Sequence, residues 1–285
     1  MFSGVPPGET MVSYLLLLIV PLACVPIQNL YLAFGHRYDL GSITYIATGT
    51  LLATVYTDPG SRPQIGFLIV LLLLLSTICF LVRAYILANG TPSEFTMFTF
   101  GQAWAVPALV QYEIDKQTAG GEMSVFVHMV HNSLIPVLLL SLSIAVLITV
   151  WFVFSRLPTR LITFTESPSQ YRFLSQDPWR LAWRIETASI VTYLIAGVAF
   201  RFVINDVSGQ TFGLESIWCL LSAAVVGRKW QRWVVFGPVL LIMGRLVASQ
   251  YVNSKYSALL VYVLLAMCLT AMSLRAEKAS REITG

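Results

Sequence analysis

His128 and His131 stand three residues apart, the spacing that puts two imidazoles on one helical face and could hold a metal ion. No acid or cysteine stands at ligand spacing beside them, and the chain has only three histidines, so an ordinary place at a membrane interface accounts for the pair. A nucleophilic triad needs serine, histidine and acid together. The serines here fall mostly in apolar segments, as packing residues do, and no Gly-x-Ser-x-Gly motif is present. There is no Gly-x-x-x-x-Gly-Lys-Ser/Thr phosphate loop and no Cys-x-x-Cys-His haem signature. The four cysteines, Cys24, Cys79, Cys219 and Cys268, are scattered singly in apolar segments and read as small buried hydrophobes.

Arg245 and Glu215 fall inside apolar segments, where burying a charge costs at least about 2.5 kcal/mol on insertion scales. Arg245 is in the middle of PVLLIMGRLVASQ and Glu215 is early in FGLESIWCLL. They either pair, pinning neighbouring helices, or line a polar pathway. Gly49 in ITYIATGTLLA and Gly101 in TFGQAWA have small or hydroxyl neighbours. Each permits close helix packing or a helix break beside a substrate. Arg201 and Asp206 are near a segment end, where a long side chain can reach water.

The elements that must position these residues follow from composition. With 56% hydrophobic and 11% charged residues the chain cannot cover a soluble globule with polar surface, which excludes the soluble classes. A bilayer demands internally satisfied backbone, and runs such as 67–82 lack the alternation of a barrel strand. The expected fold is all-α: a polytopic helical membrane bundle forming one transmembrane domain over 1–285. Nine segments can be read, at about 11–34, 40–57, 64–82, 95–112, 132–154, 186–203, 213–226, 231–248 and 256–274. Those at 40–57, 95–112 and 213–226 are shorter than the roughly 20 residues of a full crossing and are expected to be broken, tilted or re-entrant.

Orientation follows from Lys and Arg. No basic residue precedes the first apolar run, where Glu9 stands instead, so a first span with its N-terminus outside is expected in place of a signal peptide. In the resulting topology the cytoplasmic side carries thirteen basic residues: Arg37, Arg83, Arg156, Arg160, Arg172, Arg180, Arg184, Arg228, Lys229, Arg232, Arg275, Lys278 and Arg281. The opposite side carries four: Arg62, Lys116, Arg201 and Lys255. That asymmetry predicts a cytoplasmic C-terminus. The net charge of +4 then reports topology, and no nucleic-acid partner is expected. On the outside, 113–131 is the longest loop and offers a surface helix or a docking surface for a soluble partner.

The longest polar stretch, SRLPTRLITFTESPSQYRFLSQDPWRLAWRI over 155–185, holds five of those arginines against Glu166 and Asp177. Within it Thr165-Glu166-Ser167-Pro168, then Arg172-Phe173-Leu174, then Asp177 and Arg180 follow a recognisable order. On these residues, and on NLYLAFGHRYDLGSITYIATGTLLATVY over 29–56, the chain resembles the permease subunits of ABC-type importers of the branched-chain amino acid type. Relatives of that group import urea and amides, sugars and nucleosides. The similarity runs in order over roughly 12–276. Ser175-Gln176 stands where the family has Gly-Ile, and Gly227-Arg-Lys-Trp-Gln-Arg-Trp stands where it has a glycine-rich turn.

The resemblance implies a multi-pass subunit of a bacterial or archaeal cytoplasmic membrane, without ATP-binding machinery or cofactor of its own. Its 155–185 loop would couple, through Arg160, Glu166, Arg172, Asp177 and Arg180, to cytoplasmic ATPase subunits that hold ATP and magnesium. A second permease chain, the same or different, and an extracytoplasmic solute-binding protein complete the implied set of partners. A non-catalytic structural subunit of a larger membrane complex is the alternative, since it needs only helix packing and a basic docking loop. A membrane-embedded enzyme is the third class, for which the residues offer no nucleophile, acid–base pair or metal cluster.

Overall fold

An apolar run at 67–75 lies in the longest described helix of the computed structural model, which describes residues 27–28, 30–31, 37–58, 60, 62–117, 125–126, 178–202, 204, 206–209, 211–213, 215–217, 219 and 263. In chain order the elements are α1 (Ile43–Thr57), α2 (Arg62–Asn89), α3 (Pro92–Gln117), β1 (Val125–Phe126), α4 (Pro178–Arg201) and β2 (Asp206–Val207). The described part is helical apart from one antiparallel two-residue pairing of β1 with β2, Val125 opposite Val207. The expected segments 132–154 and 231–248, most of 11–34 and 213–226, and all but Val263 of 256–274 lie outside the described residues.

Two helices, Ile65–Asn89 within α2 and Pro178–Arg201, are long and apolar enough to cross a membrane. On α2 the exposed large side chains are Phe67, Val70, Leu73, Leu74, Ile78, Leu81 and Tyr85. Their spacing of three and four residues draws one apolar stripe along the helix. From Phe67 to Tyr85 it runs about 27 Å at 1.5 Å per residue, close to the roughly 30 Å of a hydrocarbon core. The opposite face packs on α1, α3 and α4.

Local chemistry sets the helix ends. Gly90 follows α2 and donates its N–H to Ile86 O at 2.7 Å; a Cβ there would lie 2.9 Å from the same oxygen, so the close turn selects glycine. Thr91 and Glu94 then form a reciprocal cap. The Thr91 N–H donates to Glu94 Oε2 at 2.7 Å and the Glu94 N–H to Thr91 Oγ1 at 3.3 Å, with Pro92 as the first helical residue of α3. Inside α3, Pro107 has no N–H for the carbonyl of Ala103. The Ser216 hydroxyl donates to that carbonyl at 2.9 Å, which keeps α3 continuous through its proline.

These helices correct the expected boundaries. The 95–112 segment, expected to be short or broken, is one continuous helix of 26 residues. The 64–82 segment continues through Arg83 to Asn89. The 186–203 segment starts at Pro178, so the last residues of the 155–185 stretch are helical. Polar residues do not end a helix when their partners lie inside the bundle, and Arg83 and Glu186 both find theirs there. Among the described helices α1, at 15 residues or about 22 Å, is shorter than a full crossing, as expected. It is buried for most of its length, from Ile43 to Leu51, and touches all three other helices.

Candidate functional site: a buried charge cluster

Arg83 is 0% exposed, although an arginine has five N–H donors and a charge to satisfy. The segment before α1, and α1, α3 and α4, converge on it. Its Nη2 lies 3.0 Å from Asp39 Oδ2, and its Nε donates to Glu186 Oε2 at 3.1 Å; both carboxylates are themselves fully buried. Nη2 also donates to the Tyr31 hydroxyl at 2.7 Å. The rings of Tyr31, Tyr45 and Phe95 stand 5.5, 5.3 and 5.4 Å from the guanidinium carbon, within the range of cation–π attraction. Arginine suits this cage because its planar fork meets several acceptors at once.

Each partner is held in turn. Asp39 precedes α1, where its Oδ1 accepts the Gly41 N–H at 3.0 Å in a local turn. Its backbone N–H donates to Gln28 Oε1 at 3.0 Å, and the Gln28 amide donates back to the Asp39 carbonyl. Glu186 is on α4, one turn before Ser189 on the same face. Tyr31 Oη is 2.7 Å from Glu186 Oε1 and 2.8 Å from Ser189 Oγ. Nearby, Arg37 Nη2 donates to the Gly90 carbonyl at 2.7 Å, pinning the α2–α3 turn, and burial lowers the Arg37 pKa.

Beside the cluster, sharing Tyr45 as a wall, a cavity of about 300 Å³ opens between α1, α2 and α4. Hydroxyls of Thr48, Ser76, Thr77 and Thr187 alternate there with Leu73, Phe80, Ile190, Val191 and Leu194. Thr48 and Ser76, both in its wall, hydrogen-bond each other at 2.8 Å. Among the described residues no three His, Cys, Asp or Glu side chains are placed to hold a metal ion, and Cys79 and Cys219 are buried.

The residues singled out from sequence fall in different places. Gly49 is a packing residue: a Cβ on it would lie 2.3 Å from the Leu194 carbonyl oxygen across the α1–α4 contact. Gly101 is exposed on α3 with nothing within 4 Å of a Cβ, so it approaches neither a helix nor the cavity. Glu215 is buried at 1% exposure. Arg180 is exposed in the first turn of α4. Arg201, expected to reach water, is fully buried within electrostatic reach of Asp58. Arg160, Glu166, Arg172, Asp177, Arg245, His128 and His131 lie outside the described residues.

Sequence reasoning missed the cluster itself. The sequence reading counts Arg37 and Arg83 with the cytoplasmic loops and singles out none of Asp39, Glu186 and Tyr31. The available signal was the apolar run AYILA that continues beyond Arg83, which placed the arginine inside a helix and asked for a buried partner. Comparison with family models, with curated proteins and with solved structures finds no match to this chain.

Proposed function

We propose that the chain is the membrane-spanning permease subunit of an ATP-driven importer of small polar solutes such as branched-chain amino acids, coupled to a cytoplasmic ATPase through 155–185. The observation that carries this reading is the continuity of α4. One unbroken helix of 24 residues runs from Pro178 and Arg180, at the end of the basic stretch, to Glu186 at the buried cluster and Thr187 at the cavity wall. A push on the basic stretch is therefore delivered as a rigid shift at Arg83 and at the cavity, the kind of helix movement that access changes use.

The polarity of the bundle supports the membrane setting. Charges are inside, against Arg83, and the outward face of α2 is apolar over a bilayer's thickness. Trp179 and Trp183 mark the start of α4 with rings 6.1 Å apart, and indoles favour the membrane–water boundary. Arg160, Glu166, Arg172, Asp177 and Arg180 are the docking residues for the ATPase, and a second permease chain and a solute-binding protein complete the assembly.

The second reading is a structural subunit of a membrane complex, favoured by the interlocked glycines of α1 and α4 and by the zero exposure of Arg83, both of which rigidify. Gentle detergent purification of the tagged protein, followed by mass spectrometry of what remains bound, separates the two. The importer reading expects an ATPase that is lost when Glu166 and Arg172 are replaced together. A stable assembly lacking an ATPase would leave the structural subunit as the better account.

A further inference from the structure

The hydrogens at the Glu186 end of the cluster can be counted. Three short oxygen–oxygen contacts form a row: Glu186 Oε1 to Tyr31 Oη at 2.7 Å, Tyr31 Oη to Ser189 Oγ at 2.8 Å, and Ser189 Oγ to the Ile185 carbonyl at 2.8 Å. Each contact needs one hydrogen between its oxygens, because two lone pairs at that distance repel. The row has two hydroxyls and so two hydrogens of its own. Arg83 supplies none of them, since its N–H bonds to Tyr31 and Glu186 Oε2 are separate contacts. The Ile185 carbonyl is an acceptor. A proton on Glu186 supplies the third, so that the Tyr31 hydrogen is not shared between two acceptors.

Charge leads to the same place. One guanidinium faces two carboxyl groups, and all three side chains are fully buried. With both carboxyls ionised the cluster holds an unbalanced negative charge in a low-dielectric interior, where an uncompensated ion is strongly unfavourable. With a proton on Glu186 the cluster is Arg83 against Asp39, neutral in sum. The donors then run in one direction: Glu186 to Tyr31, Tyr31 to Ser189, Ser189 to Ile185. Glu186 Oε2 remains the acceptor for Arg83 Nε.

We propose that Glu186 is an intramembrane proton-binding site, occupied in this conformation, and that Asp39 is the ionised partner of Arg83. The titratable and charged groups facing Glu186 are Arg83 and Cys79 from α2, Tyr31 and Asp39 from the segment before α1, and Tyr45 from α1. α3 presents the ring of Phe95 to Arg83. The inference needs only a buried cluster and holds for either role proposed above.

Infrared spectroscopy of the full chain in lipid bilayers at neutral pH tests it. The expected result is the C=O band of a neutral carboxylic acid, lost in Glu186→Gln and moved to higher frequency in Tyr31→Phe, which deprives that acid of its acceptor. Glu186→Gln is expected to keep the melting temperature of the unaltered protein, because its amide N–H can donate to Tyr31 and its carbonyl can accept from Arg83. Absence of the band, its survival in Glu186→Gln, or failure of that variant to fold would each overturn the assignment.

Discussion

Gly49 and Gly197 are each seated against the other's helix. A Cβ on Gly49 would stand 2.3 Å from the Leu194 carbonyl oxygen, and a Cβ on Gly197 would stand 2.1 Å from that of Ile46. The Thr50 hydroxyl bridges the same crossing, donating to Ile46 O at 2.8 Å and lying 2.9 Å from Gly197 O. Backbone meets backbone here, so neither side has a flexible chain end that could move aside. This contact holds α1 to α4 and, through α4, fixes where Glu186 meets Arg83.

Gly49→Ala and Gly197→Ala are therefore expected to force α1 and α4 apart and to destabilise the protein by about 1–3 kcal/mol each, as overpacking does. Gly101→Ala is the contrast. It has open space around it in a helix interior and should be neutral or stabilising by up to about 1 kcal/mol. Thermal unfolding of the three variants in detergent checks the ordering, and equal behaviour of all three would contradict the packing role.

Arg83→Ala leaves Asp39 buried without its cation and should cost about 3–5 kcal/mol, the usual penalty for breaking a buried pair from one side. Arg83→Lys should recover only part of it, since one ammonium cannot reproduce the fork that meets Asp39, Glu186 and Tyr31 together. Unfolding by denaturant gives both values. A lysine variant as stable as the arginine protein would show that charge alone matters at this position.

An arginine at Ile78, in the middle of the exposed stripe on α2, should make membrane insertion less favourable by about 2.5–3.5 kcal/mol. The membrane-inserted fraction of Ile78→Arg, compared with that of Ile78→Leu, reports it. Unchanged insertion would mean that this face of α2 meets water or another protein and not lipid.

Ser216→Ala removes the donor to the Ala103 carbonyl that Pro107 leaves unbonded, and should cost about 1 kcal/mol. In a Pro107→Ala background the helix can supply its own N–H to that carbonyl, and the same serine change should then be nearly silent. A double-mutant cycle measures this coupling. Simple additivity of the two changes would dismiss the serine as the replacement donor.

Much of the local architecture was legible. Unbroken apolar runs mark the helices, and the 40–57 stretch reads as shorter than a full crossing, as α1 is; the stop at Gly90 and the Thr91–Glu94 cap come from the structure, since the sequence reading ends one segment at 82 and starts the next at 95. The runs are local, and the chain encodes them by spacing alone. Boundaries at charged residues were misread for one reason: hydropathy treats a charge as a place where water begins. Arg83 and Glu186 are instead interior because each meets the other.

The amino-acid sequence by itself determined that this protein is helical and rich in segments suited to a membrane, because backbone hydrogen bonding and apolar periodicity are local. The tertiary structure decided that Arg83 is caged and not in a loop, that Gly49 is a contact and Gly101 is not, and that Tyr31 meets Glu186 and Ser189. Tyr31 and Glu186 are 155 positions apart, and Thr50 and Gly197 are 147 apart. Whether a charge is paired, or a glycine pressed, depends on an atom from a distant segment, and only the folded packing of α1, α2 and α4 supplies that atom.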